Sequence, residues 1–303
     1  MPYATTPLSP SVLEAVAREW GLATPEAQVQ RLYGGEESAA YRLGDVVVRV
    51  GPAWRAPDVA EWCHAVALDA REGGVSEAVA PLRTAGGATV AVVGGRPVSV
   101  WPFAEGSWAD RDDPAQRAEA ARLLGRLHHA LRDTAARLPA RPGPGDLEEG
   151  LRGEGWGSVP ALADPALDRW LAAFHARAPL VHALHGDYYR GNLLARDGRL
   201  TAVLDWDEAM VGPPALEAAT AAREFTEPWA TDLGEALAFV RTYAEAGGTA
   251  GELAEEDVAQ LVRHRLRCES AAYERERARG AEPDADDVAY HERRLELYGK
   301  LRP

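Results

Sequence analysis

The periodicity of this 303-residue chain changes once, near Phe103, and that change limits the folds open to it. Ala39 to Leu43 and Val46 to Val50 are short apolar runs joined by Gly44-Asp45, a dipeptide that favours a hairpin. Val29 to Tyr33, Val79 to Leu82, Thr89 to Val93 and Pro97 to Trp101 read as further strands, punctuated by Gly34-Gly35, Gly86-Gly87 and Gly94-Gly95. Ser9 can cap a first helix that begins at Pro10 and ends at Gly21, with Val12, Val16 and Trp20 on one face. Pro57 to Glu72 reads as a helix inserted among the strands, with Val59, Trp62, Cys63, Val66 and Ala70 on its apolar side.

Beyond Phe103 the spacing is helical. Pro114 to Leu138 reads as one long amphipathic helix with Leu123, Leu124, Leu127 and Leu131 inward. Residues 139–160 are rich in proline and glycine and read as a surface loop. Asp164 to Ala178 is helical again, and Leu180 to Leu184 and Ala202 to Leu204 are short apolar runs flanking a loop. Residues 214–303 read as four helices divided near Glu227-Pro228, Gly247-Gly248 and Pro283. The chain thus reads as α+β, with a β-rich lobe over 1–103 and a larger, mostly helical lobe over 104–303, and a cleft between them of the kind that holds ligands.

Charge narrows the partners. The net charge is −14 and there is no long basic run, which argues against a nucleic-acid binder. An acidic surface suits solubility and attracts cationic small molecules. No apolar stretch approaches the length of a membrane span, and the N-terminus has neither a basic start nor an apolar run, so no membrane is expected and the location reads as cytoplasmic. Cys63 and Cys268 are too few for a disulfide framework. Lys300 is the only lysine; every other basic side chain apart from histidine is arginine.

The chemistry concentrates in His185-Gly186-Asp187-Tyr188-Tyr189-Arg190-Gly191-Asn192, followed by Leu204-Asp205-Trp206-Asp207. Asn192 and Asp205 offer hard oxygen ligands that suit Mg²⁺ better than zinc. Asp187, five residues before Asn192 across a glycine-containing loop, could take a proton from a substrate hydroxyl while Asn192 faces the metal. Phosphoryl transfer needs that arrangement: a base to orient the nucleophile and cations to neutralise developing charge.

HGDxxxxN followed by LDWD resembles the aminoglycoside phosphotransferase and choline kinase-like family, and the lobe order extends the resemblance over nearly the whole chain. The resemblance implies a bilobal protein-kinase-like fold: a small antiparallel-sheet N-lobe with one main helix, and a larger helical C-lobe. It implies ATP, with GTP as the alternative, together with Mg²⁺, and transfer to the hydroxyl of a small molecule by a monomer or dimer. Asp187 then looks like the catalytic base, and Asn192 and Asp205 like the metal ligands. The hairpin from Arg31 to Arg42, with Gly34-Gly35-Glu36-Glu37-Ser38, looks like the loop over the nucleotide phosphates, which places Ser38 there. Val98 to Gly106, with Trp101 and Phe103, looks like the hinge where backbone groups meet the purine.

Kinases of this shape commonly carry a phosphate-gripping lysine on the third strand. Arg49 stands there in this chain, and the alternation of Val46 to Val50 puts it on a face with Val47, opposite Val46, Val48 and Val50. It reads as a phosphate ligand or as a solvent-facing strand residue; arginine can grip phosphate through its planar fork. Glu61 is the expected carboxylate partner, with Asp69 and Glu72 as alternatives. Arg190 could contact the transferred phosphoryl group or pair with a surface acid. His185 reads as structural, bonding the loop backbone. His128 reads as half core and half surface with His129.

The resemblance places the acceptor pocket among the C-terminal helices. Asp207, Glu208, Glu224, Glu227, Glu269 and Glu276 are the candidate acids there, and Tyr273 lies one helical turn from Glu269. Such a pocket would suit an amine-bearing acceptor, although Arg263, Arg265 and Arg267 share the helix. An aminoglycoside-type antibiotic and a metabolite such as an amino alcohol, homoserine-like amino acid or sugar are the acceptors left open; Asp187, Asn192 and Asp205 argue against nucleotide binding without turnover.

Overall fold

The computed structural model describes residues 6–23, 29–33, 38–142, 162–177, 179–278, 280 and 282–301. The Gly34–Glu37 part of the expected phosphate loop, most of the expected surface loop over 139–160, and the side chain of Glu276 lie outside them.

Helix α1 (Pro10–Trp20) is capped by Ser9, whose Oγ accepts from the Val12 N–H at 3.4 Å, and ends at Gly21 with φ 66°. Strands β1 (Val29–Leu32), β2 (Ala39–Leu43) and β3 (Val46–Val50) follow, then helix α2 (Pro57–Glu72) and strands β4 (Ala91–Val93) and β5 (Arg96–Pro102). They form one antiparallel sheet in the order β1-β2-β3-β5-β4. Side chains alternate across it. Ala39, Tyr41, Val48, Val50, Val98 and Val100 are buried together with Val12 and Val16 of α1. The opposite face carries Ala40, Val47, Arg49 and Trp101 toward the larger lobe.

Strand β6 (Ser107–Trp108) leads into α3 (Pro114–Leu131), the short α4 (Thr134–Arg137) and α5 (Pro165–Ala176). Strand β7 (His182–Leu184), a 3₁₀ turn over Arg190–Asn192, the hairpin β8 (Leu193–Arg196) and β9 (Arg199–Val203), and β10 (Met210–Gly212) follow. Helices α6 (Pro214–Glu224), α7 (Gly234–Glu245), α8 (Glu255–Ala278) and α9 (Ala285–Lys300) complete the chain. β7 pairs with β10, and β6 joins the β8–β9 hairpin. The loops that matter lie between β7 and β8 and between β9 and β10.

The main core joins the lobes. Trp62, Cys63, Val66 and Ala70 of α2 are buried in one cluster with Leu123, Leu124, Leu127 and Leu131 of α3 and with Trp206. Helix α3 approaches α7 closely: a Cβ at Gly125 would stand 2.7 Å from the Tyr243 carbonyl oxygen, so glycine's low helix propensity is accepted for contact. None of the described helices is long and apolar enough to cross a membrane.

The expected strand over Val79 to Leu82 is absent. The segment divides its hydrogen bonds, Val79 N–H to Val203 O at 3.1 Å and Leu82 N–H to Val100 O at 2.7 Å, and so ties β9 to β5 without forming a ladder with either. The helix expected over 114–138 breaks after Leu131 and resumes at Thr134, whose side chain is fully buried. The four C-terminal helices lie where glycine and proline placed their boundaries.

Candidate active site

Two loops meet at the end of β7. His185 is buried; its Nε2–H donates to Leu204 O at 2.8 Å and its Nδ1 accepts the Asp187 N–H at 3.2 Å. That pair of bonds sets the tautomer and ties the two loops together. Gly186 has φ +87°, and a Cβ there would fall 1.9 Å from Glu208 O, so only glycine permits the approach.

A buried carboxylate holds the loop from behind. Glu217, in the first turn of α6, accepts the Gly186 N–H at 2.5 Å, the His185 N–H at 3.3 Å and His128 Nε2–H at 2.7 Å. The Tyr243 hydroxyl donates to His128 Nδ1 at 2.8 Å and accepts the Ala250 N–H at 3.0 Å. Burial alone would raise the Glu217 carboxyl, but His128 and the loop N–H outweigh it and hold it below the usual range. His128 is therefore wholly core, with its neighbour His129 exposed. Nothing in the sequence marked Glu217 beyond its place after Pro213-Pro214.

Asp187 is half-buried. Its Oδ2 accepts Asn192 Nδ2–H at 3.0 Å, the same amide nitrogen donates to Asp187 O at 2.9 Å, and Arg265 Nη2 stands 3.6 Å from its Oδ1. Burial pushes the Asp187 carboxyl up and the charges of Asp205 and Glu269 add to this, against the pull of Arg265 and His185. Arg265 is braced by Glu269 Oε1 at 2.6 Å and Gly186 O at 3.3 Å. The spacing of Arg263, Arg265 and Arg267 along one helix gave no sign of which one would reach the loop.

Arg49 points into the cleft. Its Nη2 donates to Asp205 Oδ1 at 3.0 Å and to Asp207 Oδ2 at 2.7 Å. Asp207 also pairs with Arg55 and accepts from Ser38 Oγ at 3.3 Å. Burial would raise the Asp207 carboxyl, but Arg49, Arg55 and His64 hold it well below the carboxylate range. Between the two aspartates Trp206 is fully buried, its ring 4.7 Å from that of His185, and Asp205 has the left-handed φ of +57°.

Several expected positions are corrected. Glu61 does not meet Arg49; it accepts from Thr89 N–H and Val90 N–H at 2.8 Å each and from Thr89 Oγ1 at 2.7 Å, and so fixes the segment before β4. Asp69 pairs with Arg137, and Glu72 is exposed at the end of α2. Asp207 belongs to the Arg49 cluster rather than to an acceptor pocket, because the loop turns it back beneath the sheet. Tyr273 stacks on His291 at 4.0 Å and does not line the cavity that contains Asp187. Arg190 is exposed, lines neither cavity described below, and has no ion pair among the described residues. Arg55, Arg265 and Glu217 take up work that the sequence assigned elsewhere or not at all.

Two cavities flank this cluster. One, of about 450 Å³, lies under the sheet between Ser38, Arg49, Trp101 and Phe103 on one side and Asn192 and Asp205 on the other. Trp101 Nε1–H is held by Ser99 Oγ at 2.8 Å, and the Phe103 N–H is taken by Asp45 O at 2.8 Å, so Phe103 offers its ring and not its amide. The second cavity, of about 300 Å³, has Asp187 at one end and is walled by α6, α8 and α9 through Glu224, Glu269, Arg223, Arg265 and Arg294. Glu224 and Glu269 thus stand where the sequence placed them, but each is paired with arginine: Glu224 with Arg223, and Glu269 with Arg265 and, at 3.6 Å, with Arg294.

Comparison with solved structures gives the same architecture. An amicoumacin kinase solved with AMP-PNP, Ca²⁺ and Ami superposes with a TM-score of 0.67 at 16% identity, covering 96% of this chain and 94% of that one. A spectinomycin phosphotransferase solved with ADP and spectinomycin gives 0.64 at 13% identity, covering 98% and 99%. A choline/ethanolamine kinase family protein from Mesorhizobium loti gives 0.59 at 19% identity, covering 90% and 87%. These likenesses establish the bilobal protein-kinase-like fold. In sequence, hygromycin-B 4-O-kinase of Escherichia coli is 32% identical over 93 residues, a stretch that spans 30% of this chain and 27% of that protein. Residues 28–254, which run from the first strand of the sheet through both site loops and α7, match the model of the phosphotransferase enzyme family, and the chain belongs to that family.

Proposed function

We propose that the chain is a small-molecule O-phosphotransferase that moves the γ-phosphoryl group of ATP to an acceptor hydroxyl. The observation that carries this reading is the position of Asp187. Its carboxylate lines the cavity walled by α6, α8 and α9, while Asn192, bonded to it, lines the cavity under the sheet with Asp205. A hydroxyl in the first cavity and a terminal phosphoryl group in the second would meet at this carboxylate. In this reading residues 1–103 supply the nucleotide side and residues 104–303 the loops and the acceptor side.

The residues suit a nucleotide-borne Mg²⁺. Asn192 spends its amide N–H on Asp187, so its Oδ1 is the atom left for a hard cation, and Asp205 adds a carboxylate that is 40% exposed. Among the described residues no group of three His, Cys, Asp or Glu side chains gathers that could hold a metal alone. Mg²⁺ commonly takes one or two protein oxygens and completes its shell with phosphates and water. Bound there, it would neutralise charge on the phosphates.

The chain's own groups do the remainder. Asp187 accepts the acceptor's proton as the hydroxyl oxygen bonds to the γ-phosphorus and the bond to the ADP oxygen breaks. Its raised pKa suits a group that must hold a proton briefly. Asn192 fixes the carboxylate, and Glu217 fixes the backbone that carries it. Arg49 reaches the phosphates from the sheet, and Trp101 and Phe103 border the space for the base. The likeness to kinases of hygromycin, amicoumacin and spectinomycin supports an antibiotic as one class of acceptor. The reaction needs ATP and Mg²⁺, which the cytoplasm supplies.

The test is to incubate the protein with MgATP and a panel of hydroxylated acceptors and follow ³¹P NMR. A new phosphomonoester resonance growing in step with ADP supports the reading. ADP appearing only with inorganic phosphate across the panel would overturn it.

A further inference from the structure

The unspent hydrogen-bonding capacity of the cavity beside Asp187 is of the donor kind. Its acids are engaged. Glu269 takes Arg265 Nε at 2.6 Å and Arg294 Nη1 at 3.6 Å, Glu224 takes Arg223, and Glu217 is committed to His128 and the loop backbone. The arginines are not saturated. Arg223 is 6% exposed, and its Nε and Nη1 are buried with no hydrogen-bond partner. Arg294 is 9% exposed, and its Nε is in the same condition. Both side chains line the cavity that contains Asp187.

Buried N–H groups without partners are costly, and Arg294 Nη1 has only the 3.6 Å ion pair with Glu269, longer than a hydrogen bond, so this guanidinium keeps donors for a ligand in the cavity. A guanidinium matches a carboxylate in plane and spacing, through parallel charge-assisted bonds. A cation entering the same cavity would have to compete with Arg223, Arg265 and Arg294 for carboxylates they already hold. Arg294 is also braced over the Tyr290 ring at 5.2 Å, on the rim of this cavity, which holds its charge in place.

Resting on the phosphotransfer reading above, we propose that the acceptor is a hydroxy acid. Its carboxylate lies against Arg223 and Arg294 and its hydroxyl at Asp187. This names the acceptor by charge, and it differs from the polycation that an acid-lined pocket would select.

The test uses the intact protein saturated with MgADP and compares matched probes that differ only in one charged group. One series is D-glucuronate, D-glucose and 6-amino-6-deoxy-D-glucose; the other is 4-hydroxybutyrate, 1,4-butanediol and 4-amino-1-butanol. Affinity is read by calorimetry and by thermal shift. The acid should bind at least about tenfold more tightly than its amine counterpart in one series or both. Arg294→Gln should abolish that preference. Because Arg223 is buried, Arg223→Lys is the second variant; it keeps the charge, loses the fork, and should reduce the preference severalfold. MgADP affinity, set at the other cavity, reports that each variant is folded. Equal or tighter binding of the amines in both series, or an acid preference unchanged in both variants, overturns the proposal. Failure of the wild-type protein to bind MgADP would instead overturn the phosphotransfer reading itself.

Discussion

Asn192 holds Asp187 twice: one amide nitrogen donates to the backbone oxygen of Asp187 at 2.9 Å and to its carboxylate at 3.0 Å. The 3₁₀ turn over Arg190–Asn192 brings the amide back across the loop to the residue five positions earlier. The two side chains therefore move as a unit, with the base facing one cavity and the amide oxygen left for the other.

Asn192→Ala should release that carboxylate. Loss of a hydrogen bond to a charged group is worth about 1.5–3 kcal/mol. In the proposed mechanism this would lower kcat by about tenfold to a hundredfold, with the unfolding midpoint little changed. Steady-state kinetics beside a thermal melt checks it; an unchanged kcat would mean that Asp187 is positioned by other groups.

Arg49 should act on the nucleotide. In Arg49→Ala, Asp207 keeps Arg55 as a partner, so the loop has a reason to stay in place. The variant gives up the proposed grip on phosphate, and MgADP affinity should fall by about tenfold to a hundredfold. Arg49→Lys should restore part of it, since lysine keeps the charge without the planar fork. Calorimetric titration of MgADP decides the point, and equal affinity across the three proteins would remove Arg49 from the phosphate site.

Much of this site was legible in the sequence, for a physical reason. Asp187, Asn192 and Asp205 lie within short loops, where chain connectivity limits how far apart they can be placed. The face of Arg49 followed from the two-residue period of a strand. Its partners did not, because pairing between a strand and a helix depends on helix rotation. Helix α2 turns Glu61 toward Thr89 and Val90, and burying Trp206 sends Asp205 and Asp207 to the same guanidinium. Glu217 and Arg265 reach the loop from α6 and α8, over separations that no local spacing encodes. The break in the helix expected over 114–138 is of the same kind, since no glycine or proline marks it.

Acid should destabilise the fold through histidines that are buried neutral. Burial lowers His64 and His264 to about 3, with nearby arginines contributing, and burial lowers His182 to about 4 with His128 contributing. The unfolded chain binds protons at these groups below its ordinary histidine pKa, while the folded chain does not. Stability is thus fully present above that pKa and falls as the pH drops toward the folded values. Each histidine should cost about 2 kcal/mol between about pH 7 and about pH 5. Denaturant melts across that range should show the midpoint falling steadily, and a flat profile would mean that these imidazoles take up protons without unfolding.

In the proposed mechanism Asp187 takes the proton from the acceptor and does not hold the nucleotide. Asp187→Ala, measured for MgADP affinity and for single-turnover phosphoryl transfer on the same preparation, tests it most directly. The affinity should stay within about threefold of wild type and transfer should fall by at least about a hundredfold, the lower range for loss of a general base. Transfer within about tenfold of wild type, equivalent to about 1.4 kcal/mol in the barrier, would contradict it.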